Sequence, residues 1–337
     1  MSRLFLTQPA VDRRRSNRAR VVAALITALL WPLTGVAQNP ERFPSQALTI
    51  IVPFSAGGAT DIFARTLGQA LGEAWKVPVV VENKVGAGGN IGADLVARAP
   101  ANGHTLLIGA VSTVVNPPLY KIAPYIPRVL VPVGVGVASH LVTVARADLP
   151  ANDIAGLQAY SRSRPSGLSA ASAGTGTLSH LGLELLESEL GIRILHVPYK
   201  GSTPGLTDVM GGQVDIMIDS TTSAGAAIAS GKVKALAVHT PGRAAVLPQV
   251  PTYAEQGIKS MTFSAWNIFM VPSGTPEDRI AALHAALARL IREPAIAKAL
   301  TDRGLEPFVQ SPADSLEFVR QDALRWERVI REKNISP

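Results

Sequence analysis

Three glycine-rich turns carry most of the chemistry this sequence can offer. Ala56-Gly57-Gly58, Ala87-Gly88-Gly89 and Ala173-Gly174-Thr175-Gly176-Thr177 each sit between a short apolar run and a helical pattern. A helix N-terminus exposes unpaired N–H groups and roughly half a positive charge, so such a turn binds an anion without any cationic side chain. Glycine lets the backbone approach a ligand closely, and Thr175, Thr177 and Ser179 add hydroxyls to the third turn. Taken singly, each glycine is equally explained by a tight turn; three turns of one kind favour anion binding. Two acids stand beside them. Asp61 falls in the first turn of a helix, where the dipole stabilises a carboxylate. Its other possible roles are to order the loop 54–60 or to receive a ligand donor. Asp219 ends a strand pattern and either faces a cleft or caps the next helix. Tyr199 and Lys200 close a further strand in HVPYKG.

Other chemistries lack their residues. The glycine spacing in GAGGNIG and GTGTLS misses the dinucleotide fingerprint, and no GK[ST] makes a P-loop. No G-x-S-x-G elbow presents a serine nucleophile. Ser179 and His180 are adjacent and so diverge on a helix; His180 reads as a packing or hydrogen-bonding residue. Six scattered histidines, without HExxH, give no zinc site. With no cysteine there are no disulfides, thiolate sites or lipid-anchored N-terminus. No catalytic residue, metal or cofactor is expected.

The turns need a scaffold of alternating strands and helices, and the pattern supplies one. Apolar runs at 48–54, 77–83 and 104–110 alternate with helical stretches over 60–75 and 90–98. Continuous apolar runs of this length point to a parallel sheet covered on both faces. After a proline-rich break at 116–132 the alternation restarts, with strands at 141–149, 166–172, 193–199, 213–219 and 232–239. Helices fall between them at 177–189, 202–211 and 224–230. A long strand over 261–276 leads back, and helices at 276–292, 294–303 and 312–333 finish the chain. About 300 mature residues suit two cores rather than one. The expected fold is α/β with two lobes, each a mostly parallel sheet flanked by helices. Lobe 1 is expected from 38–138 plus 261–337, and lobe 2 from 139–260.

The first 37 residues read as an export signal. Arg13, Arg14, Arg15, Arg18 and Arg20 precede an apolar run from Val21 to Leu33, and Gly35-Val36-Ala37 offers a cleavage site after Ala37. That run is shorter than the ~20 residues a membrane span needs. Without the segment, the chain's 32 basic and 25 acidic residues fall to 26 and 24. The excess charge therefore belongs to the signal, and no nucleic-acid surface is indicated. A soluble periplasmic monomer is the expectation.

IIVPFSAGGATDIFAR (50–65), VVVENKVGAGGNIGADLVAR (79–98), NGHTLLIG (102–109), SAGTGTLSHL (172–181), HVPYKGSTPGLTDVMGGQVDIMID (196–219), VKALAV (233–238) and VPTYAEQG (250–257) resemble, in order, the Bug family. These are periplasmic solute-binding components of tripartite tricarboxylate transporters. The resemblance implies a "Venus flytrap" that closes on a mono-, di- or tricarboxylate, an amino acid or an aromatic acid, with the transporter's membrane components as partners and no enzymatic activity. It implies ligand contacts from Phe54, Ala56, Gly57, Gly58, Thr60, Asp61, Ser112 and Thr113 in lobe 1. In lobe 2 it implies Ala173, Thr175, Gly176, Thr177, Ser179, Tyr199 and Asp219. The chain departs from the family pattern at APYIPRVLVP (123–132), which lacks an acid, and at STTSAGA (220–226). Two other functions remain open on the residues: a two-domain enzyme holding a phosphorylated substrate at the same turns, and an exported sensor for a membrane kinase.

Overall fold

Leu48, Ile50 and Val52 pack into one apolar cluster with Phe63, Leu67 and Leu71, while Ile51 between them packs into another with Val96 and Leu107. This two-sided burial is what a strand covered by helices on both faces requires. Such strands build two sheets in the computed structural model, which describes residues 43–122, 125–332 and 334–336. The expected export segment 1–37 lies outside the described residues.

The first sheet has the order β11-β4-β10-β3-β1-β2. Its strands are β1 (Leu48–Val52), β2 (Val79–Asn83), β3 (Thr105–Ala110), β4 (Leu130–Ser139), β10 (Ala265–Pro272) and β11 (Leu305–Val309). The second has the order β7-β6-β8-β5-β9. It consists of β5 (Leu141–Arg146), β6 (Leu168–Ser172), β7 (Ile194–Pro198), β8 (Ile216–Ser220) and β9 (Val233–Val238). Strands β1 to β3 are mutually parallel, and so are β6 to β8. These form the expected α/β cores. The reversed strands are β10, β11 and β5, which pair antiparallel with their neighbours. The chain leaves the first sheet for the second at His140 and returns between Val238 and Ala265.

Ten helices cover these sheets among the described residues: α1 (Ala59–Trp75), α2 (Asn90–Ala97), α3 (Ser112–Tyr120), α4 (Ile154–Arg162), α5 (Leu178–Leu190), α6 (Ser202–Met210), α7 (Thr221–Ala229), α8 (Glu277–Ile291), α9 (Pro294–Thr301) and α10 (Pro312–Glu332). Helix α10 buries Val319, Trp326 and Ile330 in a cluster that also holds Ile51 and Leu107 of the first sheet and Ile216 and Ile218 of the second. No helix among the described residues is long and apolar enough to cross a membrane.

Three elements run against the sequence pattern, and proline explains each. The region expected as a break, 116–132, contains the second half of α3, with Pro117 and Pro118 inside it, and the first three residues of β4, which then continues through a stretch assigned no strand. Proline costs a helix its hydrogen bonds, yet α3 buries Val114, Val115 and Leu119, and that packing holds it. In β4, Pro132 sits opposite Met270, next to a register shift between Ile268 and Met270. A bulge tolerates the missing donor. Strand β11, not expected at all, carries Pro307 at the sheet's edge, the place where a strand accepts proline.

Candidate functional site

The strand-to-helix turns of both sheets converge on one cavity of about 100 Å³. Phe54, Gly58 and Thr60 reach it from the first turn, Ser112 from the start of α3, and Ala173, Thr177 and Ser179 from the third turn. Ser202 opens α6, and Asp219 and Ser220 end β8 just before α7; all three line the same space. Five helices, α1, α3, α5, α6 and α7, therefore present their N-termini to it. Each brings the partial positive charge of its unpaired N–H groups. The lining contains no lysine, arginine or histidine, and Asp219 is its single ionisable side chain.

The hydroxyls there are largely engaged with the protein. Thr177 Oγ1 donates to Gly174 O at 2.6 Å and caps α5 by accepting from His180 N. Ser179 Oγ donates to Ile218 O. Thr60 Oγ1 accepts from Asn267 Nδ2 at 3.1 Å, which leaves its proton for another acceptor. These bonds fix the turns in shape before any ligand arrives.

The remaining expected residues fall elsewhere. Asp61 does not line the cavity. Its oxygens accept from Gly57 N, Arg65 Nε and Asn83 Nδ2 at 2.9–3.0 Å, and Asn83 also donates to Phe54 O. Burial pushes this carboxyl up, but Arg65, the Gly57 amide and Asn83 outweigh it and hold it below its usual value. Asp61 thus orders the first turn. Thr113 Oγ1 accepts from Ala110 N and steadies the start of α3. Thr175 and Tyr199 line a neighbouring depression with Lys200, sharing Phe54 and Ala173 with the cavity. The Tyr199 hydroxyl donates to Asp208. His180 is buried, accepts from Gly176 N through Nδ1, and stacks on His196 at 4.2 Å, a structural role as expected.

Ala56, Gly57 and Gly176 lie where the two sides touch. Thr203 Oγ1 donates to Ala56 O at 2.7 Å, and Ser55 N donates to Lys200 O at 3.1 Å. A Cβ on Gly57 would meet Thr203 at 3.3 Å, and one on Gly176 would meet Asn116 Oδ1 at 1.9 Å. These glycines allow the cleft to be bridged by direct contact.

Several lining residues had no sequence signal. Ser139, Trp266 and Asn267 come from β4 and β10, where the chain crosses between sheets, and no motif marks them. Ser202 and Ser220 were legible in principle, because each sits at a strand-to-helix turn like the glycines. Among the described residues no three His, Asp or Glu side chains are grouped to hold a metal.

The family model described as "Tripartite tricarboxylate transporter family receptor" matches residues 63–335. The chain belongs to this receptor family. Its fold is shared with the periplasmic binding protein BugD, which is 35% identical with a TM-score of 0.84, over 87% of this chain and 99% of that one. MatC from Rhodopseudomonas palustris with bound malate is 33% identical with a TM-score of 0.80, over 86% of this chain and 100% of its own. Rpa4515 from R. palustris with adipate is 33% identical with a TM-score of 0.84, over 88% and 99%. The Bug resemblance read from the seven motifs is thereby confirmed, and so is the two-lobed α/β architecture of the receptor. These receptors are periplasmic binding proteins by their structural relatives, which gives the cavity between the sheets its context.

Proposed function

We propose that this chain is an extracytoplasmic solute receptor that traps a small carboxylate between its two lobes and delivers it to the membrane components of a tripartite tricarboxylate transporter, without chemical conversion. The observation that carries this reading is the convergence of five helix N-termini on a cavity with no cationic side chain. Such a site suits a small anion whose charge is met by backbone N–H groups. The malate and adipate bound by the two relatives are both carboxylates. The lobes would be 38–138 plus 261–337 and 139–260, turning about the crossing strands at His140. Phe54, Gly58, Thr60, Ser112, Ala173, Thr177 and Ser179 would contact the ligand. Thr175 and Tyr199 would border it, and Asp61, Thr113 and Gly57 would shape the turns.

A panel of small carboxylates tested by thermal shift should contain acids that raise the melting temperature, since a ligand that binds only the folded state stabilises it. Calorimetry of the best acid against its amide should show the amide at least ~10-fold weaker, because each charge-assisted bond lost costs about 1.5–3 kcal/mol. Equal affinity for acid and amide would defeat the anion trap. Turnover of the ligand during equilibrium dialysis would show an enzyme instead. Export is checked separately: mass spectrometry of the protein recovered outside the cytoplasm should give Gln38 as the first residue, and an intact 1–37 segment would contradict cleavage after Ala37.

A further inference from the structure

Asp219 is 2% exposed and lines the cavity. Its Oδ1 accepts from Ser202 Oγ at 2.6 Å and from Ser220 N at 2.7 Å, whereas its buried Oδ2 has no hydrogen-bond partner. A buried polar atom left unpaired costs free energy, and this one sits in the only ionisable side chain of the lining. Cross-strand, Asp219 faces Val142 of β5. Only burial and bonds to nearby serines and the Ser220 amide act on its carboxyl, burial pushing it up, with no charged side chain contributing.

We infer that Asp219 Oδ2 is the acceptor for an O–H or N–H donor on the ligand, so that the trapped acid carries a hydroxyl or ammonium group near its carboxylate. The inference rests on the carboxylate reading of the same cavity. A bare carboxylate brought against Asp219 would meet repulsion and leave Oδ2 unpaired. A hydroxy acid or an amino acid puts its carboxylate among the helix N-termini and its donor on Oδ2, pairing both. Asparagine at this position reverses the chemistry. The Ser220 amide requires an acceptor at Oδ1, so the carboxamide oxygen must stay there and the NH₂ must take the place of Oδ2, a donor facing the cavity.

The test is calorimetry with matched trios: lactate, alanine and propionate; malate, aspartate and succinate; 2-hydroxyglutarate, glutamate and glutarate. In the trio that binds, the hydroxy or amino member should bind at least ~10-fold tighter than the unsubstituted acid, and which of the two binds tells the hydroxyl from the ammonium. Asp219→Asn should remove the preference for an amino acid. A hydroxyl can also accept from the carboxamide, so for a hydroxy acid the matched variant is Asp219→Leu, which has neither acceptor nor donor there and should remove it. A probe that needs no variant is 2-methoxysuccinate, which keeps the oxygen of malate but has no proton to give; in a malate-binding protein it should fall to the level of succinate or below. For an aspartate-binding protein the corresponding probe is the N,N,N-trimethyl derivative of aspartate beside N-methylaspartate; the first keeps the positive charge but has no N–H to give, and only the second should retain affinity. A preference below tenfold, or one that survives the variant matched to that ligand, overturns the inference and leaves the carboxylate reading standing. Failure of all nine acids overturns it too; if the wider carboxylate panel also gives no stabilisation, the carboxylate reading falls with it.

Discussion

Gly201→Val should weaken ligand binding at least ~100-fold while the protein still folds. Gly201 has φ +136°, and a Cβ there would lie 2.6 Å from Ser55 N and closer still to Ser55 Oγ, on the opposite side of the cleft. The same junction holds the Ser55 N to Lys200 O bond. A valine must push Ser55 away, so the two sides cannot meet around a ligand, and a ligand held by donors from both loses half of them. Three or more lost charge-assisted bonds exceed the ~2.7 kcal/mol that a hundredfold change requires. Backbone strain adds about 1–3 kcal/mol of destabilisation. Gly212→Val separates these effects: Gly212 has φ +74° with nothing within 4 Å of its Cβ position, so it carries strain without a clash across the cleft. Calorimetry should find its affinity unchanged. Normal binding by Gly201→Val would show that the bridged form is not the one that holds ligand.

Asp215→Ala should destabilise the fold by about 3 kcal/mol, since removing one partner of a buried ion cluster strands the others. Asp215 accepts from Arg146 Nε, from Ser169 N and from Ser169 Oγ, each at 3.0 Å, with Arg164 Nη1 at 3.3 Å. It thereby ties the start of β8 to β5 and β6. Asp219 lies four residues further along, roughly 13 Å at strand rise, so ligand affinity measured well below the melting temperature should stay the same. Burial pushes the Asp215 carboxyl up, but the Ser169 and Arg146 bonds together hold it below the usual aspartate value. The folded value lies under the unfolded one, so this stability is fully present above about pH 4 and is lost as pH falls through the folded value. Urea titrations from pH 7 down to pH 3 should show the variant and the unaltered protein converging. A constant gap across that range would contradict this account.

The glycine turns were legible because their chemistry is local. Gly57-Gly58 before α1 and the Thr177 cap of α5 obey rules that span four or five residues, and the alternation of apolar runs with helical stretches marked the strands that feed them. The prolines in β4 and β11 hid real strands for the opposite reason. Whether proline is tolerated depends on a bulge or a sheet edge, and those exist only once strands have paired.

The sequence by itself determined that the chain is a two-lobed α/β receptor and that glycine-rich turns end several of its strands. Tertiary structure alone decided which residues share the cavity. Asp61 and Asp219 look alike in the sequence, each an acid beside a helix start, yet Arg65 and Asn83 engage the first while the second lines the cavity and keeps one buried oxygen unpaired. Trp266 and Asn267 reach the lining because β10 pairs with β3 and β4, more than a hundred residues earlier in the chain. Pairing over that distance is set by sheet order and burial, which no short motif encodes.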